Sequence, residues 1–260
     1  MVGGDFVKCP TCGEETERII NICDTKIKVK VMCSCKIKEQ EEKKRIEENR
    51  EKQDRLERLF KNSLMDSKFR KETFNNWDKQ KGSRTYYNIG LKYCRNFKTI
   101  RSEGLGMMLQ GRPGNGKTYL SNCIANYLLD TFTPVISISI NNLLDRLRQS
   151  YSKWGQEGEV ELIKSITRAD LIILDDLGTE NPTEWAISKV YSIIDAIYRA
   201  KKCLIVSTNY SLQQLRDQYG DRTISRLEEM CTTIEIKDKS FRQDMAEENR
   251  NKLRSLIMEG

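Results

Sequence analysis

The run from Gly111 to Thr118, GRPGNGKT, restricts the fold of this chain more than any other feature of its sequence. It fits the phosphate-binding loop pattern, in which glycines precede a Lys and a Thr, without a mismatch. Such a loop needs a strand before it and a helix after it, and the sequence offers an apolar run at 106–110 and helical spacing of apolar residues from 120 to 128. A glycine-rich turn between two core elements is the alternative, so a second line of evidence is required.

The loop predicts how a nucleotide would be held. Its glycines let backbone N–H groups point at phosphate oxygens, and the helix N-terminus adds further donors. Lys117 would reach the β- and γ-phosphates, and the Thr118 hydroxyl would ligate Mg²⁺. The residues predicted to contact ATP are Gly111, Arg112, Pro113, Gly114, Asn115, Gly116, Lys117, Thr118, Tyr119 and Asp175.

The segments after the loop alternate between strand and helix patterns. Apolar or alternating runs predict strands at 106–110, 136–140, 171–174 and 203–207, with helices between them, including one from 183 to 200. Asn141 or Asn142 is predicted to cap the helix after the second strand. This order indicates an α/β protein with a parallel, doubly wound sheet, in which ligands bind at the carboxyl ends of the strands.

Acidic and amide side chains follow two of these strands. Asp175 and Asp176 come directly after an apolar run, and Asn209 follows the run that ends at Ser207. Alone, such residues are ordinary turn formers. Behind a phosphate loop they predict a magnesium site at Asp175 and an attacking water that Asn209 holds and that Asp176 orients or deprotonates. This constellation is the second line of evidence for the loop.

Composition narrows the class of protein further. The chain has 260 residues and a net charge of +7, which permits contact with nucleic acid without requiring it. No stretch approaches the ~18 apolar residues of a membrane span, and no signal core follows Met1, so we expect a soluble cytoplasmic protein. Because the sequence contains 0 histidines, any general base or metal site must use other side chains.

Four of the cysteines have the spacing of a metal site. Cys9-x₂-Cys12 and Cys33-x-Cys35 resemble the two halves of a zinc ribbon, and four thiolates would hold zinc in a closed structural site. Metal binding would then supply the folding energy of the segment. Reduced cysteines in a disordered tail are the alternative. Cys23 lies off the pattern and is predicted to be a spare thiol.

A charged segment separates the cysteines from the loop. Residues 36–62 are rich in Lys, Arg, Glu and Gln, which predicts a solvated helix with i,i+4 ion pairs and no coiled-coil heptad. The expected organisation is therefore a zinc-binding module at 1–35, a charged helical arm at 36–62 and a nucleotide-binding domain at 63–260.

Residues 141–168 combine basic and aromatic side chains. Such a mixture can follow the backbone of single-stranded DNA and stack on its bases. A helix pair with a solvated basic face and Trp154 in the core explains the pattern equally well. The residues concerned are Arg146, Arg148, Tyr151, Lys153, Trp154, Lys164 and Arg168.

Taken in order, these motifs resemble an AAA+ ATPase. The loop, Asp175-Asp176-Leu177-Gly178, Ser207-Thr208-Asn209 and two late arginines are similar to the DnaC/DnaI-type replicative helicase loaders and the related IstB transposition ATPases, over roughly residues 63–241. The resemblance implies that ATP lies between neighbouring subunits. It also implies that Asn209 is sensor 1, Arg242 is sensor 2 and Arg226 is the arginine finger, with Arg222 as its competitor. The implied catalytic residues are Lys117, Asp175, Asp176, Asn209, Arg226 and Arg242.

Two departures from the AAA+ pattern bear on activity. The second acid is Asp176 where Glu is common, and its shorter arm predicts slow hydrolysis that suits a switch. Only one polar helix, Gln243–Met258, is predicted after Arg242, so the C-terminal lid is reduced.

The resemblance implies a function in replication. An ATP-switched loader would bind a hexameric DnaB-type helicase through residues 1–62, self-associate through its ATP sites and deposit the helicase on single-stranded DNA. The alternatives are an IstB-like ATPase that regulates a transposase on duplex DNA, and an adaptor in which nucleotide only stabilises the fold.

Overall fold

A computed structural model describes residues 7–22, 25–59, 69–78 and 82–258. The chain divides into two compact units, Met1–Glu51 and Lys52–Gly260. Cys23 and the predicted boundary at 62/63 lie outside the described residues, and the three-part organisation stays a prediction.

The first unit contains a hairpin and most of a long helix. Strands β1 (Glu17–Ile22) and β2 (Thr25–Lys30) pair in antiparallel fashion, and helix α1 (Ser34–Leu59) begins between Cys33 and Cys35. Lys43 pairs with Glu39 one turn earlier at 2.7 Å, as the predicted ion-paired helix requires. The last turns of α1 belong to the second unit, where Leu56 is buried in the core.

The second unit is built on a parallel sheet. Its strands are β3 (Gly106–Gly111), β4 (Val135–Ser139), β5 (Leu171–Leu177), β6 (Cys203–Thr208) and β7 (Cys231–Ile236), in the spatial order β4-β5-β6-β3-β7. All the neighbouring strands of this sheet run parallel. The predicted parallel α/β fold is therefore confirmed.

Helices cover both faces of the sheet. Successive residues of one strand point to opposite faces, so Met108 packs in one apolar cluster and Leu109 in the other. The helices of this unit are α2 (Arg84–Arg95), α3 (Phe97–Glu103), α4 (Lys117–Asp130), α5 (Ile140–Ile166), α6 (Glu184–Arg199), α7 (Leu212–Tyr219), α8 (Asp221–Met230) and α9 (Phe241–Met258). Among the described helices, none has the length and apolar character needed to cross a membrane.

Three local features differ from the predicted elements or add to them. The cap of α5 is Ser139, whose hydroxyl accepts a hydrogen bond from the Asn142 N–H at 3.3 Å, so Ile140 opens the helix instead of ending the strand. Gly155 breaks α5 with a φ of 63°. Strand β7 was not predicted, because Thr232 and Thr233 are exposed and its sequence lacks an apolar run.

Candidate nucleotide site

The phosphate loop connects β3 to α4 and closes around its own lysine. Gly114 and Gly116 have φ of 80° and 94°, which only glycine adopts without strain. Lys117 is 4% exposed, and its Nζ donates to the carbonyl oxygens of Gly111 at 2.8 Å and Arg112 at 2.9 Å. Burial lowers the pKa of Lys117, while Asp176 and Asp175 act to raise it. The ammonium and both carboxylates therefore share one site.

Two amide side chains complete the surroundings of Lys117. Asn209, just beyond β6, accepts from Lys117 Nζ through its Oδ1 at 2.8 Å. Asn115 accepts from the same nitrogen at 3.2 Å and donates through Nδ2 to the Ile236 carbonyl at 2.6 Å. The loop is thus tied to the end of β7, a contact that the sequence pattern did not reveal.

Asp175 lies at the carboxyl end of β5, against the first turn of α4. The Thr118 hydroxyl donates to Asp175 Oδ1 at 3.0 Å, and the Ser207 hydroxyl donates to the same carboxylate oxygen. Asp175 is 5% exposed, and this burial raises its pKa, which the hydrogen bond from Ser207 partly offsets. The structure therefore brings together the two oxygen donors predicted to hold magnesium.

Ser207 is a site residue that sequence reasoning missed. Besides donating to the Asp175 carboxylate, its Oγ accepts from the Asp176 N–H at 3.0 Å, so one hydroxyl contacts the side chain of the first acid and the backbone of the second. Its position in the Ser207-Thr208-Asn209 run was the available signal. Only Asn209 in that run was given a role.

Asp176 has a backbone conformation that is uncommon outside glycine. Its φ is 56°, and the pairing of β5 with β6 shifts in register between Leu174 and Leu177. Asp is among the residues that tolerate this left-handed region, which often occurs at functional sites. Asp176 thus leaves the regular strand directly after the buried Asp175.

The N-terminus of α9 packs on the phosphate loop. The Phe241 N–H donates to the Gly114 carbonyl at 2.9 Å, and a Cβ at Gly116 would lie 3.1 Å from the Phe241 ring. A Cβ at Gly114 would lie 3.2 Å from Arg242 Cβ. Arg242 therefore starts its side chain beside the loop, and its charge acts to lower the pKa of Lys117.

The two candidate finger arginines lie one turn apart on α8. Arg226 pairs with Asp195 of α6 at 2.7 Å, and its guanidinium lies 4.7 Å from the Tyr191 ring centroid. Arg222 is exposed, and no ion pair or hydrogen bond to its side chain occurs among the residues described. Within the described ranges, no hydrogen bond joins either arginine to the phosphate loop of the same chain.

The four predicted cysteine ligands converge in the first unit. The sulfur atoms of Cys9, Cys12, Cys33 and Cys35 all lie within 4.8 Å of one another. Backbone N–H groups, first that of Cys12 and then that of Thr11, lower the pKa of Cys9 to about 6. Four soft sulfur donors at this separation suit zinc, and one of them already favours the thiolate form that metal binding requires.

The aromatic residues of 141–168 are exposed where α5 breaks. Trp154 is 67% exposed and Tyr151 is 51% exposed, so the alternative that places Trp154 in the core is wrong. Some of the basic residues have protein partners, since Arg168 pairs with Glu161 at 2.8 Å and Arg148 lies over the Trp185 ring.

Fold and site together define a P-loop nucleotide-binding protein with an AAA+ sheet. The sequence matches the family model of IstB-like ATP binding proteins over residues 39–249, and the chain belongs to that family.

Relatives by sequence are more distant. The uncharacterized protein YdaV of Escherichia coli K12 is 28% identical over 194 residues, which are 72% of this chain and 75% of YdaV. The replicative helicase loader DnaC of Buchnera aphidicola subsp. Schizaphis graminum is 22% identical over 147 residues. That alignment covers 56% of this chain and 58% of DnaC, so the chain spans less than two thirds of this relative.

Solved structures show the same fold. The DnaC helicase loader superposes with a TM-score of 0.56 at 23% identity, over 66% of this chain and 100% of that one. AMPPCP-bound DnaA from Aquifex aeolicus gives a TM-score of 0.57 at 23% identity, over 73% of this chain and 56% of that one. These likenesses show the fold of the chain.

Proposed function

We propose that this protein is an ATP-dependent helicase loader. It would bind a hexameric replicative helicase through its N-terminal region and deposit that helicase on single-stranded DNA, with ATP as the assembly switch. The observation that carries the proposal is the contact of Thr118 with Asp175 beside a buried Lys117, in a chain similar to DnaC.

ATP binding would exchange hydrogen bonds that the loop now makes internally. Lys117 Nζ donates to two loop carbonyls and would turn to the β- and γ-phosphates. Thr118 and Asp175 offer the oxygen ligands that Mg²⁺ prefers, and Mg²⁺ neutralises phosphate charge when bound.

Hydrolysis would follow from the residues around the γ-phosphate. A water oriented by Asn209 attacks phosphorus, its proton passes to the Asp176 carboxylate, and the bond to the ADP oxygen breaks. Arg242 beside the loop, and Arg226 or Arg222 from a neighbouring subunit, would stabilise the charge that develops on the transferred phosphoryl group. Because the Asp176 side chain is shorter than the Glu that is common at this position, we propose that turnover is slow.

The cysteine cluster and the exposed aromatic side chains would support binding of the helicase and of single-stranded DNA. Cys9, Cys12, Cys33 and Cys35 would hold zinc as a structural ion that stabilises the unit contacting the helicase. Tyr151 and Trp154 are free to stack on the bases of single-stranded DNA.

A loading assay with the full chain tests the proposal. The protein is mixed with a hexameric replicative helicase, and unwinding from a protein-coated single-stranded circle is measured with wild type and with Lys117→Ala. We expect ATP-dependent stimulation that the variant lacks. No complex with the helicase and no stimulation would contradict the loader assignment.

A second candidate is an IstB-like regulator of a transposase, favoured by the family match itself. It predicts a preference for duplex over single-stranded DNA, and competition between the two DNAs at fixed salt separates the candidates. An adaptor without turnover is separated by its ATPase rate, with Lys117→Ala as the control.

A further inference from the structure

Glu180 is a buried carboxylate at the end of the turn that follows Asp176. It is 5% exposed, and no cation pairs with it among the residues that the structure describes. Its Oε1 accepts from the Tyr219 hydroxyl and from Gln218 Nε2 at 3.2 Å, and its Oε2 accepts from the Gly178 N–H at 3.2 Å. Burying a charge without an ion-pair partner costs free energy, and these hydrogen bonds offset part of that cost. They also fix the position of the carboxylate.

One side of this contact is the turn that carries the site. Thr179 bonds to the Asp176 carbonyl through its N–H at 3.2 Å and its hydroxyl at 2.8 Å. Gly178 has a φ of 99°, and a Cβ there would lie 2.6 Å from the Tyr210 ring. The turn is therefore tightly enclosed, and its hydrogen bonds connect the Asp176 backbone to the segment that ends at Glu180.

The other side is the corner between α7 and α8. Tyr219 is the last residue of α7, and its carbonyl accepts from the buried Thr223 hydroxyl of α8 at 3.0 Å. Arg216 of α7 pairs with Asp221 at 2.9 Å and with Glu228 at 3.0 Å, both in α8. A buried hydrogen bond and two ion pairs therefore join α7 to α8, and α8 carries Arg222 and Arg226.

We propose that Glu180 is a positioning residue that couples the acids of a subunit's own ATP site to the arginine helix α8. This inference rests on the proposed function in one respect, that α8 supplies an arginine to the ATP of a neighbouring subunit. Glu180 touches no substrate; it acts through Gly178 on one side and Tyr219 on the other. The turn behind the acids of one subunit thereby sets the position of the arginine that is offered to the next subunit.

A complementation assay separates the two sides of Glu180. Donor subunits carry Lys117→Ala, so their own site is inactive and only their α8 contributes. Acceptor subunits carry Arg222→Ala and Arg226→Ala, so they need an arginine from the donor. ATP hydrolysis by the mixture reports the shared site, and Glu180→Gln is then placed on the donor or on the acceptor.

We expect Glu180→Gln on the donor to reduce the complemented rate roughly fivefold, the effect of about 1 kcal/mol in a lost hydrogen bond. The donor's own site is already inactive, so such a loss can only travel through α8. An unchanged rate with the donor variant would overturn the inference, even if the acceptor variant is slow. If the unmodified mixture shows no hydrolysis, the shared site of the proposed function fails, and the inference fails with it.

Tyr219→Phe on the donor provides the second variant, since it keeps the carboxylate and removes only the hydroxyl. Tyr210→Phe, on a ring that packs against Gly178, is the matched control. Thermal midpoints of all donors are compared first. If Glu180→Gln fails to fold, Tyr219→Phe decides, with the same fall in rate supporting the coupling and an unchanged rate contradicting it.

Discussion

The nucleotide site and the cysteine cluster are held together in different ways. Asp175 lies at the end of β5, whose apolar residues Leu171 to Leu174 are at most 1% exposed. Its carboxylate receives hydrogen bonds from both neighbouring elements. In the first unit, by contrast, the hairpin exposes Ile19, Ile20 and Ile27 by 40% or more. A large core preforms a site without its ligand, whereas we expect a unit with so little apolar burial to depend on its ligand for stability.

The largest effect is expected from removing the metal ligands of the first unit. Cys33→Ser, or zinc chelation, is expected to unfold the first unit, because structural zinc contributes on the order of 10 kcal/mol in such modules. Hydrogen exchange over residues 7–33, together with zinc content, measures the effect. ATP affinity should change less than about twofold, since the ATP site has its own core.

Thr11→Ser, placed between Cys9 and Cys12, is the matched control and should retain both zinc and protection. Retention of protected amides in zinc-free protein would show that the first unit is stable by itself. It would then resemble the nucleotide site.

Substituting Arg226 or Arg222 tests whether the preformed nucleotide site needs an arginine from a neighbouring subunit. Arg226→Ala is expected to keep ATP binding and lose roughly 10³-fold in hydrolysis, together with ATP-dependent assembly, because an arginine supplied in trans would contact the neighbour's ATP both in the assembled state and in the transition state. Turnover and sedimentation in the presence of ATP measure both. Arg222→Ala is the comparison variant, and normal hydrolysis by Arg226→Ala would assign the finger to Arg222.

A smaller effect concerns the stability that the protein loses by burying the ionised Asp175 carboxylate. Burial raises the pKa of Asp175, so the folded protein binds this proton more tightly than the unfolded chain does. The ionised carboxylate therefore lowers stability as pH rises from the unfolded pKa, about 4, through the folded pKa, and the cost is complete above both. Asp175→Asn is expected to raise the thermal midpoint at neutral pH by roughly 2–4 °C, or about 1 kcal/mol, while hydrolysis is lost.

Thermal scans at pH 4 and pH 7 without nucleotide check this prediction, and the gain should shrink toward the lower pH. Asp130→Asn, an exposed acid at the end of α4, controls for general charge effects. A lower midpoint at neutral pH would mean that the hydrogen bonds from Thr118 and Ser207 outweigh the burial of the charge.

Local sequence patterns predicted most of the strands and helices but few of the contacts that connect them. The strand that carries Asp175 and the helix that begins at Lys117 were predicted correctly. The spacing of apolar residues that buries such an element is visible in the sequence. Strand β7 was missed because an exposed edge segment, paired through its backbone to β3, needs few apolar side chains. The cap of α5 was misplaced by two residues or more, since several polar residues adjoin that helix start.

The chemistry of this protein can be read from its sequence: a loop with the phosphate-binding pattern, two acids behind an apolar strand, and four cysteines at ligand spacing. The contacts of Ser207 with the Asp175 carboxylate and the Asp176 backbone, and the contact of Glu180 with Tyr219, are visible only in the folded chain. The reason is the separation of these residues along the chain. A loop or strand motif is formed by neighbouring residues, whereas hydrogen bonds between residues 31 to 39 positions apart form only after the sheet and its helices have packed.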